Sequence, residues 1–197
     1  MKTAMFVLLG LLALLAATAK GQTAPLGSGL YRSAADFRAR RLTLAVDCQT
    51  EKHKLRMNEF RGRPYVTVVH GGKAYRMDKD SLFGFRDCEG QSYRFATDYH
   101  HLPILNPEEE LLLYRMMQPA AGKNPGRDDA YFSASAAAPV QALTLLNVKR
   151  AFPGNHRFHD LLDAQLGNGD LTAYDQMHRM TKINWLLRQS QEMVVAH

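Results

Sequence analysis

The chain of 197 residues holds only two cysteines and one tryptophan, and after its first 21 residues no apolar run is more than a few residues long. So little cysteine excludes a disulfide-dense miniprotein. Runs that short exclude a spanning helix beyond the start of the chain, because crossing a bilayer takes ~20 consecutive apolar residues. Collagen-like repeats are missing, and a hydrophobic content of 46% against 22% charged residues excludes a disordered polymer. Catalytic signatures are missing as well: there is no Gly-x-Ser-x-Gly elbow, no phosphate-binding Gly-Lys-Ser/Thr loop and no Gly-x-Gly-x-x-Gly dinucleotide turn. Acidic runs such as Glu108-Glu109-Glu110 and Asp128-Asp129 offer carboxylates, but no spacing rule selects a pair for glycosidic chemistry.

What is present begins with a leader. Lys2 supplies a positive start, residues 4–17 are apolar apart from Gly10, and Ala19-Lys20-Gly21 places small residues where a signal peptidase reads. The expectation is a signal peptide over residues 1–21 and a soluble mature protein, secreted or periplasmic. Removing Lys2 and Lys20 with the leader lowers the formal charge from +6 to +4. The basic residues concentrate at Arg38, Arg40, Arg41, Lys52, Lys54 and Arg56, a surface suited to an anionic envelope component, a glycan or a protein. A solvated strand face explains the same letters, and nucleic acid is not an expected partner of an exported chain.

Residues 22–117 read as a β-rich module. Leu42, Leu44, Val46 and Cys48 alternate with polar or small residues, the period of a strand with one buried face. Residues 64–69 are apolar on both parities and suit a more central strand. Two hairpin segments, 72–77 and 90–95, align at an offset of 18 residues, each following a turn dipeptide, Gly71-Gly72 or Glu89-Gly90. In each, the tyrosine and the residue two further on share one face, and Arg76 or Arg94 takes the other. Residues 118–139 read as a linker or loop with a short strand at 130–133.

From residue 140 to 197 the texture is helical. Thr144, Asn155 and Asp170 are capping residues for three helices, the second stopping at Gly167 and the third carrying Leu171, Tyr174, Met177, Thr181, Trp185 and Leu186. The expected fold is α+β: an antiparallel β-meander or partly closed barrel, followed by a C-terminal three-helix segment that packs on it.

Two groups bear on chemistry. Cys48 and Cys88 are expected to pair in an oxidising compartment, with two separate buried thiols as the other reading. Strand parity puts Cys88 with Arg86 rather than with Phe83 and Phe85, a conflict that a bulge or turn onset at Asp87 removes. His156, His159, Asp160 and Asp163 fall on one polar face of the second helix. His156, His159 and Asp163 are plausible Zn ligands, joined in space by His178, His100 or His101, which makes a metal-assisted hydrolase the rival function. The meander's dense aromatics read as core.

At residues 46–54, 83–88 and 158–163, which read VDCQTEKHK, FGFRDC and FHDLLD, the chain resembles uncharacterised exported proteins of Bacteroidetes. The resemblance implies a bacterial envelope or secreted setting. It brings no activity, cofactor or catalytic residue. The leader, the compact β module and the missing catalytic signatures lead to the expected function, that of a non-enzymatic binding or envelope-associated protein without a cofactor.

Overall fold

A computed structural model describes residues 27–50, 55–58, 63–96, 100–118, 120, 122 and 125–192. The expected leader, Lys52 and Lys54 lie outside them. The fold is α+β, with antiparallel sheets, a short early helix and a helical C-terminal segment. No closed barrel forms among the described residues.

The principal sheet differs from a simple meander because it is built around a strand that sequence periodicity does not announce. β1 (Gly27–Tyr31) lies between β2 (Thr43–Asp47) and β6 (Gly84–Arg86), and the order continues through β7 (Ser92–Phe95) to β8 (His101–Pro103). Between β1 and β2 comes a five-residue helix, α1 (Ala34–Arg38), capped by Ser33, whose Oγ accepts from the Asp36 N–H at 3.1 Å. β2 carries a bulge where Leu44 adopts φ 52° and the register against β1 slips. An extra residue reverses facing. Accordingly Leu42 packs into one core and Leu44 and Val46 into another.

A second, three-stranded sheet, β3 (Leu55–Arg56), β4 (Tyr65–His70) and β5 (Lys73–Asp78), lies inside the chain segment that joins β2 to β6. Its β4–β5 turn is Gly71-Gly72, with φ of 55° and 75°, the left-handed values a two-residue hairpin requires. The expected hairpins are both present, but the two similar segments face different surroundings. β5 is an exposed edge, whereas β7 is internal, and Gly84 lies so close to it that a Cβ there would meet the Tyr93 carbonyl oxygen at 1.9 Å.

The third sheet, β9 (Leu112–Gln118), β10 (Arg127–Ser133) and β11 (Gln141–Ala142), joins the first through an isolated bridge between Ile104 and Tyr114. β10 is longer than the expected 130–133 strand, and it pairs with β9 over its full length. Leu111, Leu112, Leu113 and Tyr114 are all wholly buried. Leu111 and Leu113 face the helices, while Leu112 and Tyr114 face Tyr31, Phe37, Phe83 and Ile104. A strand covered on both sides reads as an unbroken apolar run, which this one does.

Helices α2 (Leu145–Ala151) and α3 (His156–Leu166) start where the caps predict: Thr144 Oγ1 accepts from the Asn147 N–H at 3.1 Å and Asn155 Oδ1 from the Phe158 N–H at 2.9 Å. The third expected helix needs correction. Asp170 closes a local turn through Thr172 instead of capping a helix. A small hairpin follows, β12 (Tyr174–Asp175) and β13 (Met180–Thr181), and α4 runs only from Lys182 to Glu192. Tyr174 and Met177, expected on a buried helical face, are exposed.

Candidate functional site

Around the first helix, three of the expected basic residues stay exposed and engage acceptors of the protein itself. Arg38, in the last turn of α1, donates from Nη1 to the Pro107 and Glu109 carbonyls at 3.2 and 2.6 Å and from Nη2 to the Glu110 carbonyl at 2.9 Å. Arg40 pairs with Glu108, which raises the arginine's pKa further. Arg41 pairs with Asp36, and together with the Ser33 hydroxyl it holds that carboxyl below the usual carboxylate range. Arg56 stands apart on β3, exposed, in a different sheet. The expected residues therefore divide between two places, with Arg38, Arg40 and Arg41 gathered around α1.

The loop carrying Glu108–Glu110 is itself fixed. Glu109 accepts from the Thr181 N–H at 3.0 Å and from the Thr181 hydroxyl just before α4, so the acidic run is partly structural. Between this loop, α1 and the β6–β7 turn lies a pocket of about 110 Å³ walled by Tyr31, Phe37, Arg38, Arg40, Arg86, Gly90, Ser92, Pro107 and Glu108. The turn is rigid on three counts. Cys48 and Cys88 form a disulfide with Cα atoms 5.5 Å apart. Asp87 Oδ1 accepts from the Gln91 N–H at 2.8 Å, and Gln91 Nε2 donates to the Ile104 carbonyl at 2.8 Å. Because β6 ends at Arg86 and the chain turns at Asp87, the facing conflict at Cys88 is resolved as the sequence allowed.

Arg86 was not singled out by sequence reasoning. It shares a sheet face with Gly84, opposite to Phe85, and pairs across the ladder with Ser92. Strand parity gave that facing, but the wall it faces is built by β1 and α1, which periodicity does not reveal. Arg86 Nε is buried and has no hydrogen-bond partner, and no carboxylate pairs with this guanidinium among the described residues. The hydroxyls of Tyr31 and Ser92, 3.4 Å apart, belong to the same pocket wall.

The histidine–aspartate group makes its described contacts within the helical segment. His159 Nε2 donates to the carbonyls of Lys149 and Phe152 at 3.1 and 2.9 Å, which closes the end of α2. Asp163 accepts from Lys149 Nζ at 2.6 Å, while the rings of His156 and His159 meet edge to face at 5.9 Å. His178 stacks on Trp185 at 3.6 Å between ring centroids and pairs with Asp175, whose carboxyl it holds below the usual range. His101 meets the rings of Phe85 and Tyr93 edge-on, and burial pushes its pKa down. Among the described residues no three His, Cys, Asp or Glu side chains gather as metal ligands. Of the expected Zn set, His159 and Asp163 tie α3 to α2 through Lys149 and Phe152, and His156 lies against His159 on α3 itself.

Comparison with known protein families, with curated proteins and with solved structures finds no match.

Proposed function

We propose that the protein acts outside the cytoplasm as a non-enzymatic binding protein, and that it holds the carboxylate or phosphate group of an anionic envelope component in the pocket of Arg38, Arg40 and Arg86. One observation carries the reading: a guanidinium whose Nε–H is buried with no acceptor, facing a pocket whose single carboxylate, Glu108, is already paired with Arg40. A buried N–H without an acceptor forgoes a hydrogen bond, and a charge-assisted bond to an incoming oxyanion recovers it. The pocket volume of about 110 Å³ is ample for a carboxylate or phosphate group, since a single water takes roughly 10–15 Å³ on the same measure. The leader and the disulfide support the compartment.

The test is a titration of the full chain with glucuronate and, separately, with glycerol 3-phosphate, following the arginine Nε–H resonances by NMR. The Arg86 resonance should move saturably with one of the two, which also identifies the anion class. Arg86→Gln should weaken that binding roughly tenfold or more, the loss expected of a charge-assisted hydrogen bond. An Arg86 signal indifferent to both ligands would refute the reading.

A further inference from the structure

The face of the principal sheet that carries Arg86 carries a second arginine, Arg94, paired with Gly84 across the β6–β7 ladder. Arg94 extends across the core between the two sheets. Its Nη1 donates to the Tyr114 hydroxyl at 3.1 Å and the Ser133 hydroxyl at 3.2 Å, and its Nη2 to the Ala138 carbonyl at 2.8 Å. The Phe83 ring lies 5.1 Å from its Cζ. All these partners are neutral, and no carboxylate pairs with Arg94 among the described residues. A guanidinium has five N–H donors, so two remain without an acceptor among the described residues.

Arg94 also lines a cleft of about 460 Å³, whose other walls include Ala96, Leu102, Met116, Tyr131 and Val140. That volume lies in the range of small-molecule sites, which are characteristically apolar with a few placed polar groups. We infer that the cleft binds a medium-chain aliphatic monocarboxylate, its chain lying along Leu102, Met116 and Val140 and its carboxylate on Arg94. Charge complementarity selects the occupant. An apolar cleft alone takes any oily molecule, whereas the uncompensated guanidinium favours one with a single anionic end, which it can hold by charge-assisted hydrogen bonds. The site is separate from the Arg86 pocket, for which α1 and the β6–β7 turn supply walls, and it does not depend on the function proposed for that pocket.

Calorimetric titration of the full chain with sodium octanoate and with 1-octanol tests the inference. Octanoate should bind saturably, one per chain, and at least tenfold more tightly than octanol. Arg94→Gln should weaken octanoate roughly tenfold or more. Because Arg94 also bonds within the fold, a second variant, Ala142→Trp, narrows the exposed rim without touching those bonds, and it should weaken octanoate comparably. Arg86→Gln should leave octanoate binding unchanged. Equal affinity for octanoate and octanol, unaltered binding by Ala142→Trp, loss of binding in Arg86→Gln or no binding at all would each overturn the assignment.

Discussion

Asn184 and Asn106 hold Leu111 just before β9 begins. Leu111 donates its N–H to Asn184 Oδ1 at 2.9 Å, and its carbonyl accepts from Asn184 Nδ2 and Asn106 Nδ2, both at 2.8 Å. Asn106 Oδ1 takes the next free donor, the Leu113 N–H, at 2.7 Å. Two side-chain amides thus replace a neighbouring strand, which buried backbone groups require. Asn184→Ala strips the Leu111 N–H of its acceptor but leaves the carbonyl its bond from Asn106. The expected cost is therefore one unsatisfied buried donor, about 1–3 kcal/mol, seen as a lower urea midpoint with an unchanged slope. A midpoint shift within error would mean that Leu111 finds another acceptor. These polar residues were not legible in the sequence, because an asparagine announces a partner only when its neighbours in space are known. Glu109 is the same case: in a run of three acids it reads as solvated, and only the arrival of Thr181 gives it a role.

At the scale of elements, the disulfide and the β3–β4–β5 sheet form one device. The bridge closes a loop with a sequence separation of 40 residues, and that loop contains the whole of this sheet. The sheet is held to the principal one by Val66 and Val68 packing on Leu30, Val46 and Phe85, and by contact between His70 Nδ1 and the Ala45 carbonyl at 2.9 Å. On chain entropy such a bridge contributes about 4 kcal/mol. Reduction, or the Cys48→Ala/Cys88→Ala pair, should lower the thermal midpoint and speed hydrogen exchange at Val66 and Val68 well before it does so at Phe158 or Leu162. Uniform acceleration across both groups would show that the bridge acts globally rather than on this sheet. The elements legible in the sequence were those whose signal is local: the β4–β5 hairpin from Gly-Gly, the starts of α2 and α3 from their caps. β1 escaped because its five residues carry only Leu30 and Tyr31 as an apolar signal. The third helix was misplaced because Asp170 satisfies a turn through Thr172, Arg179 adopts φ 54°, and α4 starts only where Thr181 meets Glu109.

For the whole molecule, the deciding feature is that β9 and β10 belong to two cores at once. The helical face of this pair, Leu111, Leu113 and Phe132, is sealed by Val148, Phe158, Leu162, Ile183 and Leu186, while Leu112 and Tyr114 seal the core that borders both arginine sites. The boundary between β-rich and helical segments that composition suggests therefore runs through shared packing. Removing residues 140–197 would expose three side chains now wholly buried, each worth roughly 1.5–3 kcal/mol, against a total stability of about 5–15 kcal/mol for an ordinary domain. It would also remove Asn184 and Thr181 from the loop that walls the Arg86 pocket. The expected outcome is that a chain ending at residue 139 binds a hydrophobic dye and melts without a cooperative transition. The full chain, in contrast, should unfold in a single step, with Trp185 fluorescence from α4 and far-ultraviolet dichroism giving coincident curves. A truncated chain with a sharp transition and a retained Arg86 pocket, or two separated transitions in the full chain, would show that the sheets form their core without the helices.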